Sequence, residues 1–507
     1  MKFTVKSGNI ENFSTQVIVV PVFSDDQNSE EDFKKLDNLL GRALSRAMET
    51  QSYITKEGHF EPFFTNKRLK AEKVILAGMG KSSELDAEKV RIFGGKLTAY
   101  LKGRKTSDFA ILAFNFLVKD TCAEDVAQAF CEGVLLKDYS FDVYKSKKKD
   151  DKDDKDVKLE EVYLIPQHAH DLSKLNEGIS RAENICEAVV LVRDLVNLPA
   201  SVVNPEYMAK RAKEVAKSAR LSCKVLDGKM LKKEKMGCLL GVAQGSSNEP
   251  RLIILEYRGA KKKMDPIVFV GKGVCFDSGG LNLKPTGYIE TMKDDMAGAA
   301  TVMGVALAAA RLKIPVNIVS IMPCVENMPD GHAYRPSDIL TSASGKTVEV
   351  KNTDAEGRLI LADALWYAQK YKPGKIIDIA TLTGACMVAL GAKVTGVMTN
   401  DDEFAKKIMD AGKCVGELTW QLPIFKEHIE EIKGDIADIN NVGHPKGYGG
   451  AITAAAFLKE FVGETKWVHL DIAGPAWTDG EGPYMHKGGT GVMVRTLVQF
   501  LEKESGE

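Results

Sequence analysis

The sequence predicts an α/β protein of two domains, a smaller N-terminal one joined by a long helix to a larger C-terminal one. Three observations carry that reading. Short β-branched runs alternate with helical patterns in the first third, which is the signature of an α/β layer fold. A stretch of helical apolar spacing, Leu172–Leu198, then runs up to Pro199. Beyond it glycine becomes more frequent, and the apolar runs become those of a large sheet. The 507 residues allow two to four units at roughly 150 residues per domain. We place the boundaries at 1–170 for the first domain, 171–198 for the linking helix and 199–507 for the second.

In the first domain Gln16–Val22, Lys73–Ala77, Phe109–Phe114 and Glu161–Ile165 read as buried strands. Lys89–Leu101 and Ala123–Leu136 read as helices between them. Lys145–Lys158 carries seven Lys and five Asp, and its mixed signs predict a solvated loop rather than a basic arm. In the second domain Leu252–Tyr257, Ile267–Val270, Val316–Met322, Lys375–Ala380 and Trp467–Ile472 read as strands of one sheet. Helices at Met296–Arg311, Arg358–Lys370 and Gly488–Lys503 are expected to cover its faces.

Composition narrows the function classes. Hydrophobic residues at 44% and charged residues at 27% exclude a mostly disordered chain. With 69 Lys and Arg against 70 Asp and Glu, the net charge of -1 gives no bulk attraction to nucleic acid or anionic membranes. The nine cysteines are odd in number and none falls in a CxxC pair, which disfavours a zinc ribbon, a redox motif or a disulfide framework. Free thiols, no apolar signal core at the N-terminus and no stretch of about 18 apolar residues point to a cytoplasmic protein without a membrane span.

The chemistry concentrates in two segments. Val270–Pro285 (VGKGVCFDSGGLNLKP), continued by Lys293–Gly298 (KDDMAG), places Lys272, Asp277, Lys284, Asp294 and Asp295 around a glycine-rich turn beyond a strand end. Ligands of open α/β sheets bind there. A nucleotide loop is disfavoured: GxxxxGK[ST] is absent, since Gly78–Ser82 has Ile75 where the first Gly belongs, and Phe276 breaks GxGxxG. The second segment, Val350–Leu361 (VKNTDAEGRLIL), sets Asp354, Glu356 and Arg358 at alternate positions. An extended segment would aim all three to one side. Carboxylates so close repel unless a cation neutralises them.

Asp277, Asp295, Asp354 and Glu356 have the chemistry to hold two divalent ions by bridging. Oxygen-rich sets suit Mg²⁺ and Mn²⁺, and Zn²⁺ also accepts carboxylates. A Lys joins such a set only as the neutral amine, whereas a charged Lys stabilises an oxyanion. Lys272 and Lys284 are the residues available for these two tasks. The 8 histidines form no HExxH pattern, and His332, His444, His469 and His486 read as structural. Neither Cys275 nor Ser278 sits in a nucleophile motif.

NTDAEGRL at Asn352–Leu359 resembles the signature of the leucine aminopeptidases, the dimetal cytosol aminopeptidase family. GKGVCFDSGGLNLKP, MKDDMAGAA, DIATLTGA and HLDIAGPAW resemble further family blocks in the same order, so the likeness spans Ser180–Glu504. It implies a macrodomain-like N-terminal domain and a catalytic domain with a mixed central sheet. It implies that Lys272, Asp277, Asp295 and Glu356 hold the more exchangeable metal, and Asp277, Asp354 and Glu356 the tighter one. Lys284 and Arg358 then resemble the catalytic pair, with a bicarbonate against Arg358 that moves a proton from the attacking water to the leaving amine.

The implied reaction is hydrolysis of N-terminal residues from peptides with a free N-terminus, through a metal-bridging hydroxide. Met292, Thr381, Gly384 and Ala473 match the family's side-chain pocket, which implies a preference for leucine and other apolar residues. Ala476 stands where some relatives carry Met. No family role attaches to Asp294. The expected metals are Zn²⁺ or Mn²⁺, with Mg²⁺ also compatible, and the expected assembly is a homohexamer of two trimers. Two rival readings are weaker. A DNA-binding or regulatory role rests only on Lys145–Lys158, and an inactive scaffold conflicts with the presence of all seven expected metal and catalytic residues.

Overall fold

The computed structural model describes residues 1–25, 31–112, 122–146, 157–166, 171–260, 264–445 and 447–506. The chain forms two compact units, Met1–Cys186 with Gly480–His486, and Glu187–Asp479 with Lys487–Glu507. The boundary after Cys186 falls inside the helix Leu172–Asn197.

The first unit is built on a six-stranded sheet in the order Lys2–Val5, Glu161–Ile165, Asp108–Leu112, Val17–Val22, Lys73–Gly78, Phe60–Phe64. All neighbours are parallel except the last pair. Val17–Val22 is buried at every position, as the uninterrupted apolar run VIVVPV requires of a strand covered on both faces. The strand expected to reach Phe114 is described to Leu112, and 113–114 lie outside the described residues. The sequence reading missed the two edge strands. Phe60–Phe64 contains Pro62 and stays partly exposed, so it carries no apolar run to betray it. The helices Ala87–Lys102 and Ala123–Asp138 pack so closely that a Cβ on Gly133 would lie 2.0 Å from the Arg91 carbonyl oxygen.

The second unit carries a nine-stranded mixed sheet. Its centre, Lys466–Asp471, Lys375–Ala380, Ile267–Gly271 and Asn317–Asn327, is parallel. Thr395–Thr399 on one side and Arg251–Arg258 on the other pair antiparallel to it. Gly273–Asp277 continues along Asn317–Asn327 beyond Ile267–Gly271. The helix Ala297–Leu312 packs on the sheet, and a Cβ on its Gly298 would lie 2.1 Å from the Ile379 carbonyl oxygen. Met292–Leu312 is long and apolar enough by composition to cross a membrane. With 83% of that window buried in the protein, it is a core helix.

Two local expectations need correction. Asp354, Glu356 and Arg358 do not alternate along an extended segment. Residues 353–354 turn, and Glu356, with φ -77° and ψ -35°, already leads into the helix Gly357–Ala368. The last helix begins at Val494 rather than Gly488, because Gly488–Gly489 pairs with Trp477–Thr478 instead.

Candidate active site

The site collects at the carboxyl ends of the parallel strands, where their loops leave the sheet. Lys272 follows Ile267–Gly271 and is pinned by its backbone: its N–H donates to Ile379 O at 3.0 Å, and its C=O accepts from Ala299 N at 2.8 Å. Asp277 ends the strand Gly273–Asp277, and Asp295 follows the single turn Met292–Asp294. The turn after Asp277 needs Gly279 and Gly280, whose φ values of 87° and 62° lie in the left-handed region. A Cβ on Gly279 would also lie 2.9 Å from Asp354 Oδ1.

Lys272 Nζ lies 2.7 Å from Asp295 Oδ1 and 2.9 Å from Glu356 Oε1, and donates to Thr381 O at 2.9 Å. Lys284 Nζ lies 2.9 Å from Asp277 Oδ2 and 2.7 Å from Asp354 Oδ1. One oxygen each of Asp277, Asp354 and Glu356 lies within 4.8 Å of the others, a spacing that could hold a metal ion. All eleven residues singled out from the sequence line one cavity of about 380 Å³: Lys272, Asp277, Lys284, Met292, Asp295, Asp354, Glu356, Arg358, Thr381, Gly384 and Ala473. Asp294, left without a role, lines it too. Ala476 is buried and does not line it.

The charges are far from their aqueous balance. Burial, reinforced by Glu356, pushes Asp277 up to about 7 against the pull of Lys284 and Lys272. Burial drives Asp295 well above the usual carboxylate range. Burial raises Glu356 too, but Lys272 and Lys284 outweigh it and hold the group below its ordinary value. Both lysines are held charged: burial lowers them, and the surrounding carboxylates more than reverse that. Four carboxylates thus face two ammonium groups in a buried space. Asp295 Oδ2 is buried and has no hydrogen-bond partner among the described residues. A buried, unpaired carboxylate oxygen is costly unless a cation meets it, so the donor set fits divalent metal. Such an ion in place of the Lys272 proton would reverse the electrostatic preference and leave the amine neutral.

Several side chains that the sequence reading did not single out hold the acids in place. Asn327 Nδ2 donates to Asp277 Oδ1 at 2.8 Å and to Thr353 O at 3.0 Å. Thr353 Oγ1 donates to Gly279 O at 2.6 Å and accepts from Asn282 N at 2.8 Å, tying the loop after Asp277 to the one that carries Asp354. Tyr334 Oη donates to Thr353 O at 2.7 Å. Thr381 does more than form a pocket wall, since its hydroxyl donates to Asp295 Oδ1 at 2.7 Å. Asn327 had one visible signal, a polar residue closing a long apolar strand.

The family model described as cytosol aminopeptidase family, catalytic domain, matches residues 190–498, and that of the N-terminal domain matches 19–148. The chain belongs to the cytosol aminopeptidase family. It is accordingly a metal-dependent aminopeptidase, a peptidase hydrolase. A probable cytosol aminopeptidase from a Geobacter species is 43% identical over 504 residues, covering 99% of this chain and 100% of that one. A solved variant of tomato leucine aminopeptidase superposes with a TM-score of 0.85 at 33% identity, covering 99% of this chain and 96% of that one. The bottromycin maturation enzyme BotP in complex with Mn superposes with a TM-score of 0.82 at 31% identity, covering 97% and 100%. The rival DNA-binding reading rested on Lys145–Lys158, of which 147–156 lie outside the described residues.

Proposed function

We propose that this cytosol aminopeptidase cleaves single residues from the free N-terminus of peptides, with preference for leucine and other apolar residues. The observation that carries the reading is the convergence of four carboxylates and two lysines in one buried cavity, with an Asp295 oxygen left unpaired. Lys272, Asp277, Asp295, Asp354 and Glu356 would hold two divalent ions, Zn²⁺ or Mn²⁺. Bound there, such ions supply Lewis acidity toward water and toward the scissile carbonyl.

The remaining chemistry belongs to the chain. Lys284 keeps its proton among the carboxylates and so carries a positive charge into the cavity, where it stabilises an oxyanion developing on the peptide carbonyl. Arg358 is buried, and burial pulls it down to about 10 against Glu356 and Asp471, still charged at neutral pH. Its Nε is buried without a hydrogen-bond partner among the described residues, which fits a small anion such as bicarbonate. An anion of that kind supplies a base for proton transfer when bound. Met292, Leu382, Met387 and Ala473 give the cavity an apolar wall, and a Cβ on Gly384 would meet nothing within 4 Å, leaving room for a side chain.

We take the enzyme to be cytoplasmic and to assemble as a homohexamer. The exposed Leu283, Tyr288 and Val388, in or beside the cavity lining, support burial in an assembly. Hydrolysis of leucinamide tests the activity. It should vanish with a chelator and return with Zn²⁺ or Mn²⁺. Turnover indifferent to the chelator, or absent from the metal-loaded protein, overturns the reading.

A further inference from the structure

The cavity wall holds one acidic residue that the reaction does not use. The single turn Met292–Asp294 presents Met292 and Asp294 to the cavity. Lys293, between them, leaves the cavity, and its Nζ donates to Asn197 O at 2.6 Å. Asp294 is only 7% exposed. Among the described residues its carboxylate forms no ion pair, unlike Asp277, Asp295, Asp354 and Glu356. An acid that is buried, without an ion pair and set in the lining of a substrate cavity can take its partner from what enters that cavity.

The same lining also carries apolar side chains. Met292, Met387 and Ala473 offer packing for methylene groups, and methionine adapts to unbranched chains. A side chain that matches both features has an aliphatic stem and a cationic end. We propose that Asp294 is a specificity-determining residue that admits N-terminal lysine and arginine, pairing with their terminal charge while the stem lies on the apolar wall. The inference rests on the aminopeptidase reading above and widens its substrate class from apolar residues to long basic ones.

The test compares lysinamide with norleucinamide, which has the same four-carbon stem without the terminal amine. In the metal-loaded natural enzyme the lysyl substrate should reach more than a tenth of the norleucyl kcat/KM. In Asp294→Asn the lysyl-to-norleucyl ratio should fall by about tenfold or more, and Asp294→Glu should keep most of it. A ratio that stays put in Asp294→Asn, including an equal fall on both substrates, overturns the proposal and makes Asp294 a general support of the site. A natural enzyme favouring norleucyl over lysyl tenfold overturns it without any variant. Failure to cleave either amide sinks the aminopeptidase reading, and this inference with it. Cleavage of both with an unchanged ratio sinks this inference alone.

Discussion

At the scale of single residues, the acids of the site depend on neighbours that touch no substrate. Asn327 is fully buried and spends both amide protons, on Asp277 and on the Thr353 carbonyl. Asn327→Ala removes both donors and lets Asp277 rotate. Partners of this kind are worth about 10–100-fold in metal affinity, so chelator competition should show a loss of that size in this variant. Unaltered affinity would remove Asn327 from the site's architecture. Lys284 and Arg358 predict the opposite pattern, because neither is assigned to hold metal. Lys284→Ala and Arg358→Ala should each lower kcat on leucinamide by about 10²–10³-fold, with both ions still bound by elemental analysis. Full activity at full occupancy in either variant refutes its role. The cavity wall predicts that leucyl substrates exceed aspartyl ones in kcat/KM, and the reverse order in a panel of aminoacyl amides refutes the apolar preference.

At the scale of elements, two central strands are joined by more than their ladder. Asp378 of Lys375–Ala380 stands opposite His469 of Lys466–Asp471. His469 Nδ1 lies 2.6 Å from Asp378 Oδ1, and Trp467 Nε1 donates to Asp378 Oδ2 at 2.6 Å, all fully buried. Burial alone would lower His469, but Asp378 outweighs it and holds the imidazole above its ordinary 6.5. A raised folded-state pKa means that this pair stabilises the fold fully below about pH 6.5 and loses that contribution as pH climbs through the raised value. Asp378→Asn should cost about 3–5 kcal/mol near pH 6 and flatten that decline, as read by denaturant unfolding at several pH values. An unchanged pH slope rules the pair out as its source. The sequence marks the histidine only as structural and does not show its partner, because register between two strands is a property of the sheet. The same limit explains the rest. Central strands were legible as unbroken apolar runs, and the Asp277 turn as glycines beside acids. The edge strands Lys2–Val5 and Phe60–Phe64 carry no such run. The spacing of Asp354 and Glu356 fits a strand and a turn into a helix equally well, and the chain uses the second.

At the scale of the whole molecule, the region around the cavity sets the question of assembly. Leu283 is 60% exposed, Tyr288 70% and Val388 90%. They adjoin or belong to the lining residues Lys284, Tyr288 and Met387, so apolar surface borders the place where peptides must enter. Single exposed apolar residues need no explanation, but several around one opening mark a contact surface. The proposed homohexamer, with its sites turned inward, would give that surface a function by covering apolar area and screening the cavity from folded proteins while admitting short peptides. Sedimentation of the metal-loaded enzyme at micromolar concentration should therefore give one species of six chains. Val388→Asp, which sets a charge where burial of the valine would contribute about 1.5–3 kcal/mol per copy, should shift the population toward smaller species if this side chain is covered. A monomer in the natural enzyme refutes the hexamer. A hexamer indifferent to Val388→Asp would keep the assembly and place its contacts elsewhere, leaving Val388 free to meet the peptide.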